Sequence, residues 1–75
     1  MRRRLPALTS REVIRALERF GFERHHQTGS HLILRHPRLH RKAVVPVHRG
    51  SLRRKTLFAI LHDAGLTQEQ LLELL

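Results

Sequence analysis

The chain has 75 residues, with 15 Lys and Arg against 6 Asp and Glu, a net charge of +9, seven histidines and no cysteine. That length allows one domain, and a domain so small buries only about 60% of its chain surface on folding. Without cysteine, disulfide scaffolds and thiolate zinc sites are excluded and a reducing compartment fits; the longest unbroken apolar run, Leu57 to Leu61, is too short to span a membrane.

The chain opens on the basic stretch Met1-Arg2-Arg3-Arg4-Leu5. Pro6 and Thr9-Ser10 interrupt it before an apolar stretch of secretion-signal length can build up. A flexible basic terminus over residues 1–7 and a cytoplasmic location are therefore expected. Thr9-Ser10-Arg11-Glu12 is a capping box, with Thr9 as N-cap. Val13, Ile14, Leu17 and Phe20 then recur at helical spacing, and Gly21 closes the helix. Phe22 to Gln27 follows as a short, weakly alternating strand bounded by glycines. Thr28-Gly29-Ser30 reads as a hairpin turn, and His31 to Arg35 as a second strand closed by Pro37. After the loop from His36 to Arg41, Lys42 to His48 carries the β-branched Ala43-Val44-Val45-Pro46-Val47. Pro46 cannot donate to a ladder, so this strand lies at an edge or ends there. A second helix is expected from Lys55 or Thr56 to Gly65, with Leu57, Ile60, Leu61 and Ala64 on one stripe. Thr67-Gln68-Glu69-Gln70 is another capping box, opening a short last helix.

The order is α-β-β-β-α-α, which predicts an α+β fold: a three-stranded antiparallel sheet with the longer helices packed on one face. The other face, rich in Arg and His, stays open to solvent. Val13, Ile14, Leu17, Phe20, Leu32, Leu34, Val45, Leu57, Ile60 and Leu61 are expected in the core.

Charge is distributed unevenly. Between Phe22 and Lys55 stand nine basic residues, one acid (Glu23) and six of the seven histidines. Such a patch attracts polyanions, of which nucleic acid is the commonest. Thirteen of the fifteen cations are Arg, which forks onto phosphate oxygens as Lys cannot.

The residue types then narrow the chemistry. His36 and His40 have H-x-x-x-H spacing, but Pro37 keeps them off a helix, so no metal site is expected. One acid in the basic region cannot supply a carboxylate pair or hold two metal ions. A triad from Ser30 or Ser51 with Asp63 has no support in the spacing. What remains is a histidine acting with basic partners, a set suited to RNA. A general base takes the 2′-hydroxyl proton, cations stabilise the phosphorus centre, and an acid protonates the leaving 5′-oxygen. His31 stands out because it follows the Gly29 turn, which permits close backbone approach to a ligand, and heads a strand that fixes its base. His26, His36, His48 and Lys55 are all open as the general acid.

Thr9-Ser10-Arg11-Glu12-Val13-Ile14-Arg15-Ala16-Leu17, Gly21-Phe22, Gly29-Ser30-His31, Val45-Pro46-Val47-His48 and Thr56-Leu57, Ile60-Leu61, Ala64-Gly65-Leu66 occur in that order. Together, from Leu8 to about Leu72, they resemble the HicA (YcfA-like) toxin family of messenger-RNA interferases. The resemblance implies a double-stranded-RNA-binding-domain-like fold, cleavage of messenger RNA and neutralisation by a HicB-type antitoxin; with no metal site expected from the residues, the expectation is a metal-independent endoribonuclease with no cofactor. It matches the catalytic histidine to His31, the preceding turn to Gly29 and Ser30, and a basic stretch to Arg53, Arg54 and Lys55. With Arg35, these five are the expected RNA-binding residues. Thr28 stands where the family often has a basic residue, and His25-His26 matches no family feature. A non-catalytic RNA-binding module of the same shape is the alternative.

Overall fold

The computed structural model describes residues 4–75. Its elements are α1 (Ser10–Phe20), β1 (Glu23–Thr28), β2 (His31–His36), β3 (Arg41–Pro46), α2 (Arg54–Ala64) and α3 (Gln68–Leu74). The sheet is antiparallel in the order β1-β2-β3. The expected α+β layout, α-β-β-β-α-α, is the one observed.

Both capping boxes form. The Glu12 backbone N–H donates to Thr9 Oγ1 at 3.2 Å and the Thr9 N–H to Glu12 Oε1 at 2.9 Å. The Thr9 N–H, and then the Thr9 hydroxyl donating to the same Oε1 at 3.1 Å, hold the Glu12 carboxyl below the usual carboxylate range. Gln70 and Thr67 repeat the arrangement at the start of α3. Helix α2 begins one residue before the expected start. Its N-cap, Arg53, makes no side-chain capping bond, while its last turn is closed by Gly65 and by Arg41, which donates to Asp63 O at 3.3 Å. A cation at the negative end of the helix dipole is favourable there.

Leu32 and Leu34 on β2 and Ala43 and Val45 on β3 are buried, with α2 and α1 packed against β3 and α3 against α1. The residues between them face solvent. The sheet is thus two-sided, one side sealed by helices and one open, as its alternation requires. Nearly all the expected core residues are buried; Phe20 is only partly so. Phe22, expected in the first strand, instead turns inward and is 2% exposed. Leu5, Leu8, Leu52, Leu66 and Leu71 complete the core.

Of the terminus expected to be flexible over residues 1–7, residues 1–3 lie outside the described residues. Leu5 is buried and its carbonyl accepts from Arg54 Nη1 at 3.1 Å. The third strand ends at Pro46 and is an edge strand, as the proline there predicts.

His36 is a buried polar anchor. It is 8% exposed, its Nδ1 accepts from the N–H groups of Arg38 and Leu39 (both 3.2 Å), and its Nε2 donates to Phe20 O at 3.2 Å. Its ring meets Phe20 and Phe22 edge-on, at 5.6 and 5.2 Å between centroids. Both nitrogens are committed to the fold, so His36 plugs the end of the sheet and is removed from the set of possible general acids.

Candidate functional site

The open face is built in three cross-strand rows. Thr28, His31 and Pro46 form the first, His26, Ile33 and Val44 the second, and Glu23, Arg35 and Lys42 the third. Directly opposed residues share a face, so His31 and Arg35 lie on the same side, four residues apart along β2.

At the His31 end, His31, Val44, Pro46, His48, Ser51, Arg53 and Thr56 line a shallow depression of about 670 Å³. The floor is the end of the sheet and the wall is the start of α2. His31 is exposed, and among the described residues its ring makes no hydrogen bond to the protein. It is held by its backbone instead, through the pairing with Thr28 on one side and Pro46 on the other.

His48 is placed differently. It lies past the end of β3, in a segment tied down at both ends. Ser10, buried at the start of α1, donates from Oγ to Pro46 O at 2.6 Å, and Ser10 Oγ in turn accepts from the His48 N–H at 3.4 Å. Leu52 N–H donates to Leu8 O at 2.7 Å. The His48 ring is then oriented by Nδ1–H donating to Arg49 O at 2.8 Å, which leaves Nε2 as the free nitrogen. Ser10→Ala removes the shared hydroxyl and is expected to destabilise the fold by about 1–2 kcal/mol. Chemical denaturation measures the loss, and a nuclear magnetic resonance spectrum should show the His48 amide among the most shifted.

The sequence-expected residues separate into three groups. His31 and Arg53 meet in the depression. Gly29 and Ser30 sit in the adjoining turn. A Cβ on Gly29 (φ +55°) would meet nothing within 4 Å, so its backbone is accessible. Ser30 has a structural duty as well, its carbonyl accepting from Val47 N–H at 2.6 Å. Arg35, Arg54 and Lys55 do not line the depression. Arg35 borders a second one, of about 390 Å³, with His36, Pro37, His40, Arg41 and Lys42. Arg54 is turned toward Leu5 and lies over the Phe58 ring, 5.5 Å from its centroid. Ser51 and Thr56 also line the depression, and neither is among the residues expected to bind RNA.

Among the described residues, no group of three or more His, Asp or Glu side chains is placed to hold a metal ion, and no helix is long and apolar enough to cross a membrane. What the depression offers is two imidazoles, a guanidinium and an uncapped helix N-terminus, a set that accepts negative charge and moves protons.

Compared with known proteins, residues 10–66 match the family model described as the HicA toxin of bacterial toxin-antitoxin. No curated protein matches the chain. The matched stretch runs from the first residue of α1 to just past α2, so it includes the whole sheet and the depression and leaves out α3.

Proposed function

The chain belongs to the HicA toxin family, and from that membership we propose that it is a messenger-RNA endoribonuclease acting at the His31 depression. The observation that supports this best is the meeting of His31, His48 and Arg53 in one solvent-open hollow. His31 takes the proton from a 2′-hydroxyl, whose oxygen attacks the adjacent phosphorus. The bond to the 5′-oxygen breaks as His48, in its protonated form, hands that oxygen a proton from Nε2. The products are a 2′,3′-cyclic phosphate and a 5′-hydroxyl. Arg53 and the free N–H groups at the start of α2 carry the charge that builds on the non-bridging oxygens. Each step uses a side chain or backbone group of this protein, and none requires a metal.

The partner follows from the family membership. A HicB-type antitoxin would neutralise the protein by covering the depression and the basic face around it. An acidic surface on that partner would complement the charge.

A reporter RNA carrying a single 2′-deoxy substitution at the mapped cleavage site tests the chemistry. Cleavage at that bond is expected to disappear, the unmodified RNA is expected to yield a cyclic phosphate end, and excess EDTA is expected to leave the rate unchanged. Cleavage of the 2′-deoxy bond, or loss of activity in EDTA, would overturn the proposed route. An RNA that binds and is never cut would favour the non-catalytic module.

A further inference from the structure

We propose that His25 and His26, with Arg35 and Lys42, form a second binding site for the phosphodiester backbone, apart from the His31 depression. The inference rests on the RNA reading above and extends it to the far half of the open face.

The site is built by a β-bulge. The register of β1 against β2 slips between Arg24 and His26, leaving His25 as the extra residue. Consecutive strand residues point to opposite faces, and a bulge suspends that rule locally at the expense of a ladder pair. Here it turns both rings to the open side. Their Nδ1 atoms lie 2.6 Å apart, with ring centroids at 4.8 Å. At that separation one Nδ1 donates a hydrogen bond to the other.

The surroundings favour an anion. Arg35 on β2 holds the His25 pKa below the ordinary histidine range, followed by partial loss of hydration and by His26 and Lys42. Arg35 and Lys42 are directly opposed on neighbouring strands, and with His40 they border the 390 Å³ depression. Glu23, opposite Arg35, is the carboxylate of that row, His31 lies on the same strand as Arg35, and Arg41 with His62 and Asp63 from the end of α2 borders Lys42 on its far side. Arg35, Lys42 and the protonatable histidine pair outnumber the carboxylate of their row, Glu23, and a phosphate oxygen entering between them can accept from each.

Position decides what kind of phosphate. His31 and Arg35 are four residues apart on one strand, about 13 Å. A phosphate being cleaved at His31 cannot also touch Arg35, so the second site takes a neighbouring phosphate of the same strand. It contacts backbone only, and so accepts DNA and RNA alike.

Phosphate binding raises the proton affinity of His25 from its lowered starting point. Binding therefore takes up a proton and tightens as the pH falls into and below the ordinary histidine range. Fluorescence anisotropy with a short all-2′-deoxy oligonucleotide, which has no 2′-hydroxyl to react, measures this on the full chain. Wild type is expected to bind about tenfold more tightly at about pH 5.5 than at about pH 8. The double variant His25→Gln, His26→Gln is expected to lose most of that gain while its thermal transition stays in place. Lys42→Gln, on the opposite edge strand, should weaken binding and lower the salt slope by about one, and it keeps the test open should the double variant unfold. If both variants bind as wild type does across pH and salt, the second site is overturned and the RNA reading stands. If wild type binds no oligonucleotide at either pH, the second site is likewise overturned, while the RNA reading stands or falls on the cleavage of RNA itself.

Discussion

Replacing His31 by alanine should lower RNA cleavage by about 10²- to 10⁴-fold, the usual worth of a positioned general base, while leaving a cooperative unfolding transition near that of wild type. The separation of the two effects comes from where the ring sits. His31 is exposed and makes no side-chain hydrogen bond to the protein among the described residues. Its backbone pairing with Thr28 and Pro46 does not involve the ring. Exposed substitutions of this kind usually stay within about 0.5 kcal/mol of wild type. Initial rates on a defined RNA, taken with a thermal melt of the same preparation, check both halves. In cells, induced wild type is expected to arrest growth and cut a reporter transcript, and the variant to do neither. If the folded alanine variant cuts within a few-fold of wild type, the base is another group in the depression, and His48 is the first alternative.

Local chemistry made much of this fold legible in advance. Thr9 with Glu12 and Thr67 with Gln70 announce two helix starts, Gly21 and Gly65 two helix ends, and Pro46 the end of an edge strand. Each acts within a few residues of itself, so a linear text is enough. The candidate site was harder. His31 could be singled out because a turn and a strand flank it directly. That His48 joins it depends on Ser10 drawing the segment after β3 against α1, a contact across 36 residues of chain. Arg53, Arg54 and Lys55 read as one basic cluster, but a helix rotates successive side chains by about 100°. Only Arg53 reaches the depression, while Arg54 turns to Leu5 and Phe58. The bulge at His25 left no trace either. Every residue of β1 is exposed, so no buried alternation exists for a one-residue slip to disturb. The burial of Leu5, a lone apolar residue between Arg4 and Pro6, likewise has no period from which to be read.

The largest effect on stability should come from the other end of the sheet. Gly21→Ala is expected to destabilise the fold by about 3 kcal/mol, from backbone strain together with a steric clash. Gly21 has φ +116° and ψ 4°, a region that L-residues rarely adopt, and a Cβ built there falls 2.7 Å from His36 Nε2. The ring cannot retreat cheaply. Moving it breaks the bond to Phe20 O, or those from Arg38 N–H and Leu39 N–H, and opens the edge-on contacts with Phe20 and Phe22. For a domain of this size, 3 kcal/mol corresponds to a fall in Tm of roughly 12–24 °C, a large part of the total stability such a chain has. Gly29 provides the contrast. It too has a positive φ, +55°, but nothing lies within 4 Å of its Cβ position, so Gly29→Ala should cost only about 1–2 kcal/mol of backbone strain. A double-mutant cycle separates the two sources. In a His36→Ala background the clash is gone, and the penalty for Gly21→Ala should shrink toward that of Gly29→Ala. An equal penalty in both backgrounds would assign the whole cost to the backbone and leave His36 free to move. A reduced one identifies the Gly21–His36 contact as the joint that fixes the end of β2 against α1, at the opposite end of the strand from His31.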